Sequence, residues 1–457
     1  MRQGRISARG SPAGRGQSRK SSILLAGAAA AWMLLAASCG SAGGILEREA
    51  AVTVDGSKTS ISRLTNGITH TRQSADGWND RESVGRARGL IRSSGLVQNQ
   101  YIMGFGAGNP EPAPGRFDFK SLDARMELIA GTSGLAVITL CCAPDWMKGG
   151  ASEQTDWSTL EKPPLPEHFG DFAALAEAVA RRYTWVKHYQ VWHPLNGFYD
   201  PARNDWDEQG YTRLYNMVYT RLKAVDPGIK VGGPSVPLDG WSSPARASHP
   251  SALKGDWGVM DGRSLDALSW WLRNKKGADF ISVDLSLAHK DEAPDGPTET
   301  IGKIPAAVNW IRKRSPLPIW ISRWDSATAG RQSLPEQNAA VTAAVAEMIR
   351  AGVDVQLLWG PEESEGACQA CLWTDTRTPG GGSPTALYSS LSNLAEQFPP
   401  GTRVLEAKST SQDVIALASS DHIMLINAGR DPQHVAVDST RYLLQPYEVK
   451  TVNRQSE

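Results

Sequence analysis

Residues Tyr189–Val236 read YQVWHPLNGFYDPARNDWDEQGYTRLYNMVYTRLKAVDPGIKVGGPSV. The run His188–His193 has the composition of a short buried strand, and Lys230–Gly233 offers a second. Between them, from Tyr211 to Val225, apolar residues recur three and four apart, the spacing of a helix with one buried face. A strand, a helix and a second strand in this order describe a crossover between parallel neighbours. The same alternation extends in both directions, with strands expected at Gly67–Thr71, Asn99–Gly104, Ala136–Cys142, Phe280–Leu285, Pro318–Arg323 and Val355–Trp359. Helices are clearest at Phe169–Tyr183, Ser264–Asn274 and Pro335–Ala351. Eight strand–helix units predict an α/β fold of the (β/α)8 TIM-barrel type.

After Pro399-Pro400-Gly401 the texture changes to alternating runs at Val404–Ala407, Val414–Ala418, His422–Asn427, His434–Val437 and Tyr442–Val452. These predict a small antiparallel β-sandwich domain at the C-terminus. Upstream, Ala51–Val54 and Thr59–Ile61 flank Asp55-Gly56 and read as a hairpin that adds strands to the same domain. The expected boundaries are 1–39 for an export signal, 40–66 for a linker and hairpin, 67–398 for the barrel and 399–457 for the β-domain.

Lys plus Arg and Asp plus Glu number 48 each, so no net field favours nucleic acid or an anionic membrane surface. Residues 1–21 carry six basic side chains and no acid, and an apolar run from Ile23 to Ala37 follows, the pattern of a bacterial export signal. Ala37-Ser38-Cys39 resembles a lipobox, which makes Cys39 the expected lipidation site, although Leu35 stands four residues before the cysteine rather than three. Ordinary cleavage or an uncleaved anchor stays open. Membrane association is expected only through this leader. Of the remaining cysteines, Cys368 and Cys371 form a C-x-x-C pair suited to a local disulfide, and Cys141-Cys142 are adjacent. No metal or other cofactor is expected. Trp, at 16, outnumbers Tyr at 10 and Phe at 8, a bias that suits sugar stacking.

Tyr189–Val236 is similar to the segment from strand four to strand five of clan A glycoside hydrolases, most closely family 39 and its β-xylosidase-like relatives. Cys142-Ala143-Pro144-Asp145-Trp146 and Leu358-Trp359-Gly360 resemble that family as well. The resemblance implies carbohydrate as partner and two glutamates at the C-terminal ends of strands four and seven. One donates a proton to the leaving oxygen and the other attacks the anomeric carbon. Here the strand-four pattern reads Trp192-His193-Pro194-Leu195, which sets Pro194 at the acid/base position. The strand-seven pattern reads Ile321-Ser322-Arg323-Trp324-Asp325, which sets Arg323 at the nucleophile position.

Proline has no proton to give, and arginine is neither base nor nucleophile. Asp325, one pleat beyond Arg323, is a substitute nucleophile, and His193 a substitute general acid. The substrate-facing set expected at the C-terminal face is His70, Asp145, Trp146, Trp192, His193, Asn196, Asp284, Arg323 and Trp359. His289 and Glu362 receive no role. Arg323 reads either as an ion-pair partner of Asp325 or as a bidentate grip for an acidic sugar. The favoured function is an exported, catalytically degenerate carbohydrate-binding protein. The alternatives are an active glycosidase using Asp325 with His193, Asp200 or Glu362, and a scaffold for another enzyme.

Overall fold

Eight parallel strands close into a ring in chain order: Thr65–Thr69, Val97–Tyr101, Ala136–Leu140, His188–Val191, Lys230–Pro237, Phe280–Ser286, Ile319–Asp325 and Val355–Trp359. They are referred to below as barrel strands one to eight. The computed structural model describes residues 49–454, apart from 72, 73, 133, 293–295, 297, 326–332, 367, 369 and 438. The leader with Cys39 lies outside them.

A helix follows each strand: α1 (Arg81–Ser94), α2 (Lys120–Gly131), α3 (Phe169–Arg182), α4 (Glu208–Val225), α5 (Gly262–Asn274), α6 (Lys303–Arg312), α7 (Leu334–Ala351) and α8 (Ala386–Gln397). The sequence sets their starts through side chains that accept an otherwise orphaned backbone N–H. Asp80, Asp207, Asp261, Ser333 and Thr385 do this for α1, α4, α5, α7 and α8. Gly95 and Gly352, both left-handed, end α1 and α7. The predicted TIM barrel is therefore present.

Inward-pointing side chains fill the ring in tiers. At the bottom, Val97, Val137, Phe280, Trp320, Val355 and Leu357 form a dry cluster, with Phe280 and Trp320 stacked at 4.0 Å between ring centroids. Gly67 and Gly232 make room for it. A Cβ on Gly67 would lie 2.6 Å from Leu357 Cδ2, and one on Gly232 would overlap the Phe280 ring. The next tier is polar and pairs largely within itself, with Gln190 Nε2 left without a partner among the described residues. Asn99 donates to Thr69 and accepts from Thr139, Ser322 donates to Gln190, and Ser235 meets Ser282 at 2.9 Å. Above it lies the mouth.

A seven-stranded sheet stands beside the barrel, in the order Thr440–Leu444, Gln433–Val437, Ala50–Ile61, Arg403–Ser409, Val414–Ala418, His422–Asn427 and Val449–Asn453. Alternation assigns its faces. Leu405, Ala416, Ala418, Ile423 and Leu425 enter the sheet's own core, whereas Val404, Leu417, Met424 and Ile426 join the core of the barrel layer. Two expectations are corrected. Ala50–Ile61 is one strand rather than a hairpin, because Asp55 accepts from the backbone and hydroxyl of Ser57 and turns residues 56–58 into a bulge. Pairing with Arg403–Ser409 continues on both sides of it. The run Tyr442–Val452 is two strands on opposite edges, since Pro446 cannot donate to a ladder and Tyr447 takes a positive φ of 60°. One pair, Ala50–Val52 with Val435–Val437, is parallel within the otherwise antiparallel sheet.

The bottom tier gives a stability test. Gly232→Ala is expected to lower stability by about 1–3 kcal/mol through overpacking against Phe280. Gly85→Ala, inside α1 with open space around it, should raise stability by about 0.5–1 kcal/mol. Urea midpoints at constant m report both.

Candidate functional site

The mouth tier is built by the even-numbered strands, each contributing one side chain, as alternate strands do in such barrels. Tyr101 comes from strand two, His193 from the end of strand four, Asp284 from strand six and Trp359 from strand eight. His193 is 1% exposed, and both of its ring nitrogens are engaged. Nδ1 is hydrogen-bonded to the Tyr101 hydroxyl, and Nε2 lies 2.6 Å from Asp284 Oδ1. Burial, reinforced by the Asp284 charge and opposed by Arg323, pushes the Tyr101 phenol well above its ordinary range. The Tyr101 hydroxyl therefore stays protonated, and the Nε2 side of the imidazole faces the carboxylate.

Arg323 and Trp359 cap this chain. The guanidinium carbon stands 4.9 Å from the Trp359 ring centroid, and both residues are half-exposed. Trp359 meets Tyr101 and Phe105 edge-on at 5.9 and 5.1 Å. Arg323 is paired in register with Asp284 across a bulge in strand seven, yet among the described residues it has no hydrogen-bond or ion-pair partner. The side chain of Asp325 lies outside the described set; its backbone pairs with Ser286.

Of the other expected residues, Asn196 is exposed at the rim, and the rest turn away from the mouth. Trp192 is fully buried between Phe172 and Phe198. Its φ of 57° breaks the strand alternation, so Trp192 points outward and His193 inward. His70 is buried between Ser74 and Gln98, beside the Arg125 network of α2. Asp145 is closed off by Lys148 Nζ at 3.0 Å and by the backbone N–H of Asp156. Trp146 donates its indole N–H to the Glu111 carbonyl and packs on His168. Pro194 is buried and opens a short helical turn, Leu195–Phe198.

The possible substitutes fare similarly. His193 has no ring nitrogen left to present to a ligand. Asp200 accepts from the backbone of Ala202 in its own turn. Glu362 receives four hydrogen bonds, from the Ala75 backbone, Trp373, and the backbone and hydroxyl of Thr376. It is thereby a brace between the loops after strands one and eight. Cys368 and Cys371 are joined by a disulfide, and so are Cys141 and Cys142. Among the described residues no cluster of ligands could hold a metal ion.

Three mouth residues are not among those the sequence singles out. Tyr101 and Phe105 were legible in principle: with His193, Asp284 and Trp359 proposed on even strands, strand two owes the same tier a side chain, and Tyr101 is two residues beyond inward-facing Asn99. Glu161, whose charge acts on the Tyr101 hydroxyl, comes from the long loop after strand three and left no sequence signal.

A parallel eight-stranded barrel with an aromatic, charged mouth and an accompanying β-sheet is an architecture compatible with the barrel glycoside hydrolases. The model of glycosyl hydrolases family 39 matches residues 92–361, more than half of the chain, and the protein belongs to that family. Solved structures of similar fold include a monomeric β-xylosidase from Caulobacter crescentus CB15, 14% identical at a TM-score of 0.55, with 85% of this chain and 83% of that one covered. A conserved exported protein from Bacteroides fragilis is 11% identical at 0.61, with 88% and 100% covered. SrfJ from Salmonella typhimurium is 12% identical at 0.60, with 89% and 93% covered. At these identities the likeness is one of fold. Among curated proteins no match is found.

Burial lowers the pKa of His70 from 6.5 to about 3, so the folded protein holds this imidazole neutral while the unfolded chain protonates it. Its contribution to stability is present above about pH 6.5 and is lost as pH falls toward 3, at about 1.4 kcal/mol per pH unit. The Tm difference between wild type and His70→Gln should accordingly shrink on acidification. A difference that widens would contradict the assignment.

Proposed function

We propose that this family 39 chain is an exported carbohydrate-binding protein that does not hydrolyse glycosidic bonds. The observation that carries the reading is the pair of residues at the ends of strands four and seven, Pro194 and Arg323, where the family resemblance implies the two catalytic glutamates. Retaining hydrolysis needs two carboxylates about 5–5.5 Å apart, and inverting hydrolysis about 6.5–9.5 Å. Pro194 offers no proton. The Arg323 guanidinium is neither base nor nucleophile, and its charge opposes the positive charge that develops at the anomeric carbon.

Three described carboxylates on this face support the same conclusion, because each has another duty. Asp284 is held by His193, Asp145 by Lys148 and Glu362 by four donors. Glu161 comes from the rim loop after strand three, and its charge acts on the Tyr101 hydroxyl together with that of Asp284.

Binding is supported by what remains open. Trp359 is partly exposed, and a sugar ring would stack on the indole surface that the Arg323 guanidinium leaves uncovered. Beside it, the Arg323 guanidinium has donors free for hydroxyls or, bidentately, for the acid group of a uronate or sulfated sugar. The basic and apolar leader, with Cys39 as its lipidation site, supports export to the cell surface.

The purified protein is expected to show no turnover of aryl β-xylosides or β-glucosides. Turnover abolished by Asp325→Asn would overturn the silent reading and identify a relocated nucleophile. Titration calorimetry tests the charge: Arg323→Gln should weaken a uronic-acid oligosaccharide by about 1.5–3 kcal/mol and leave neutral xylo-oligosaccharides unchanged. Equal losses for both would remove the acidic sugar from the proposal.

A further inference from the structure

The loop between strand three and α3 carries an indole that folding does not account for. Trp157 is 52% exposed in a short helical turn, Trp157–Thr159. A large aromatic in water is by itself unremarkable; what sets this one apart is how firmly its turn is held. Asp145 and Lys148 form a buried ion pair beneath it. The other oxygen of Asp145 accepts from the Asp156 backbone, Lys148 Nζ donates to the Thr159 carbonyl at 3.0 Å, and Asp156 caps the Ser158 N–H at 3.0 Å. Burying two charges is costly unless their remaining hydrogen bonds are made, and here those bonds go to the backbone on either side of Trp157.

The turn faces an open groove of about 450 Å³, with Trp157, Glu161 and Lys162 on one side and Asn196 and Gly197 on the other. Gly197 has to be glycine, since a Cβ there would strike the Glu161 carbonyl, and so the two loops close against each other. The Asn196 side chain is exposed and has no hydrogen-bond partner among the described residues. The groove adjoins the mouth. Leu160 packs over Gly104, the neighbour of Phe105, which in turn meets Trp359.

We propose that Trp157 and Asn196 form an outer subsite for a glycan chain whose inner end rests on Trp359, so that the protein binds extended oligosaccharides in preference to single sugars. This rests on the carbohydrate reading above and adds to it a length requirement and a second platform. An apolar stacking face next to a free amide and two charged side chains matches the apolar ring face and hydroxyl rim of a sugar residue. Asp145 and Lys148 act as positioning residues beneath it.

The experiment is titration calorimetry of the full protein with a ladder of neutral and glucuronate-bearing xylo-oligosaccharides, from disaccharide upward. Affinity should rise with length in the wild type. Trp157→Ala, an exposed change, should leave the shortest ligands unaffected and reduce affinity for the longer ones about tenfold, and Trp157→Phe should restore most of it. Trp359→Ala should weaken every length. If Trp157→Ala binds all lengths as the wild type does, or weakens all of them equally, the outer subsite is wrong while the mouth stands. If the folded wild type binds no member of the ladder, the carbohydrate reading falls and the subsite falls with it.

Discussion

The imidazole of His193 ties three barrel strands together at the mouth. Tyr101 on strand two and Asp284 on strand six meet across it; Tyr101 and His193 are shut off from solvent and Asp284 nearly so. A buried polar chain of this kind is stable only when every member is satisfied, and this one is closed at both ends by a phenol and a carboxylate. It therefore works as a lid on the polar tier below and as a floor for what lies above. Arg323 and Trp359 are left as the upper surface, with the guanidinium over the indole.

The long loops of the C-terminal face are fixed by similar means. The Glu362 carboxylate gathers four donors from the loops after strands one and eight, and its burial raises its pKa against the pull of those bonds. Asp145 is occupied within the loop after strand three. In a barrel that hosts chemistry, carboxylates at strand ends are held ready for a substrate. In this one the described carboxylates are largely turned to architecture, which fits a proline and an arginine at the two strand ends implicated by the family.

All eight barrel strands were legible in the sequence, because each is a short apolar run between turn residues, and periodicity of two and of 3.6 is a local property. The mouth was read less well, since side-chain direction there depends on single backbone torsions. Alternation along strand four places Trp192 in the cleft, but one positive φ reverses it and delivers His193 instead. His70, Asp145 and Trp146 sit at strand ends as expected, yet which way each turns is decided by partners distant in sequence, such as Gln98, Lys148 and Glu111. The bulge at Asp55 was mistaken for a turn because Asp-Gly followed by an alternating run is the strongest local hairpin signal. Only the partner strand, more than three hundred residues downstream, shows otherwise.

That strand also governs the order of assembly. Ala50–Ile61 is synthesised before the barrel, whereas its neighbours on both sides, Arg403–Ser409 and Gln433–Val437, are synthesised after it. The entropy of closing so long a loop grows only slowly with length, about 0.6 kcal/mol per doubling, so the finished sheet loses little by it. The kinetic consequence is larger, because the strand waits without a partner while the whole barrel is made. Its position in the sheet is also interior. Among the described residues the hairpin Gln433–Leu444 joins the sheet's hydrogen-bonded ladder through Ala50–Ile61, so loss of this N-terminal segment would detach the hairpin and expose a new edge on Arg403–Ser409, dividing the sheet from within.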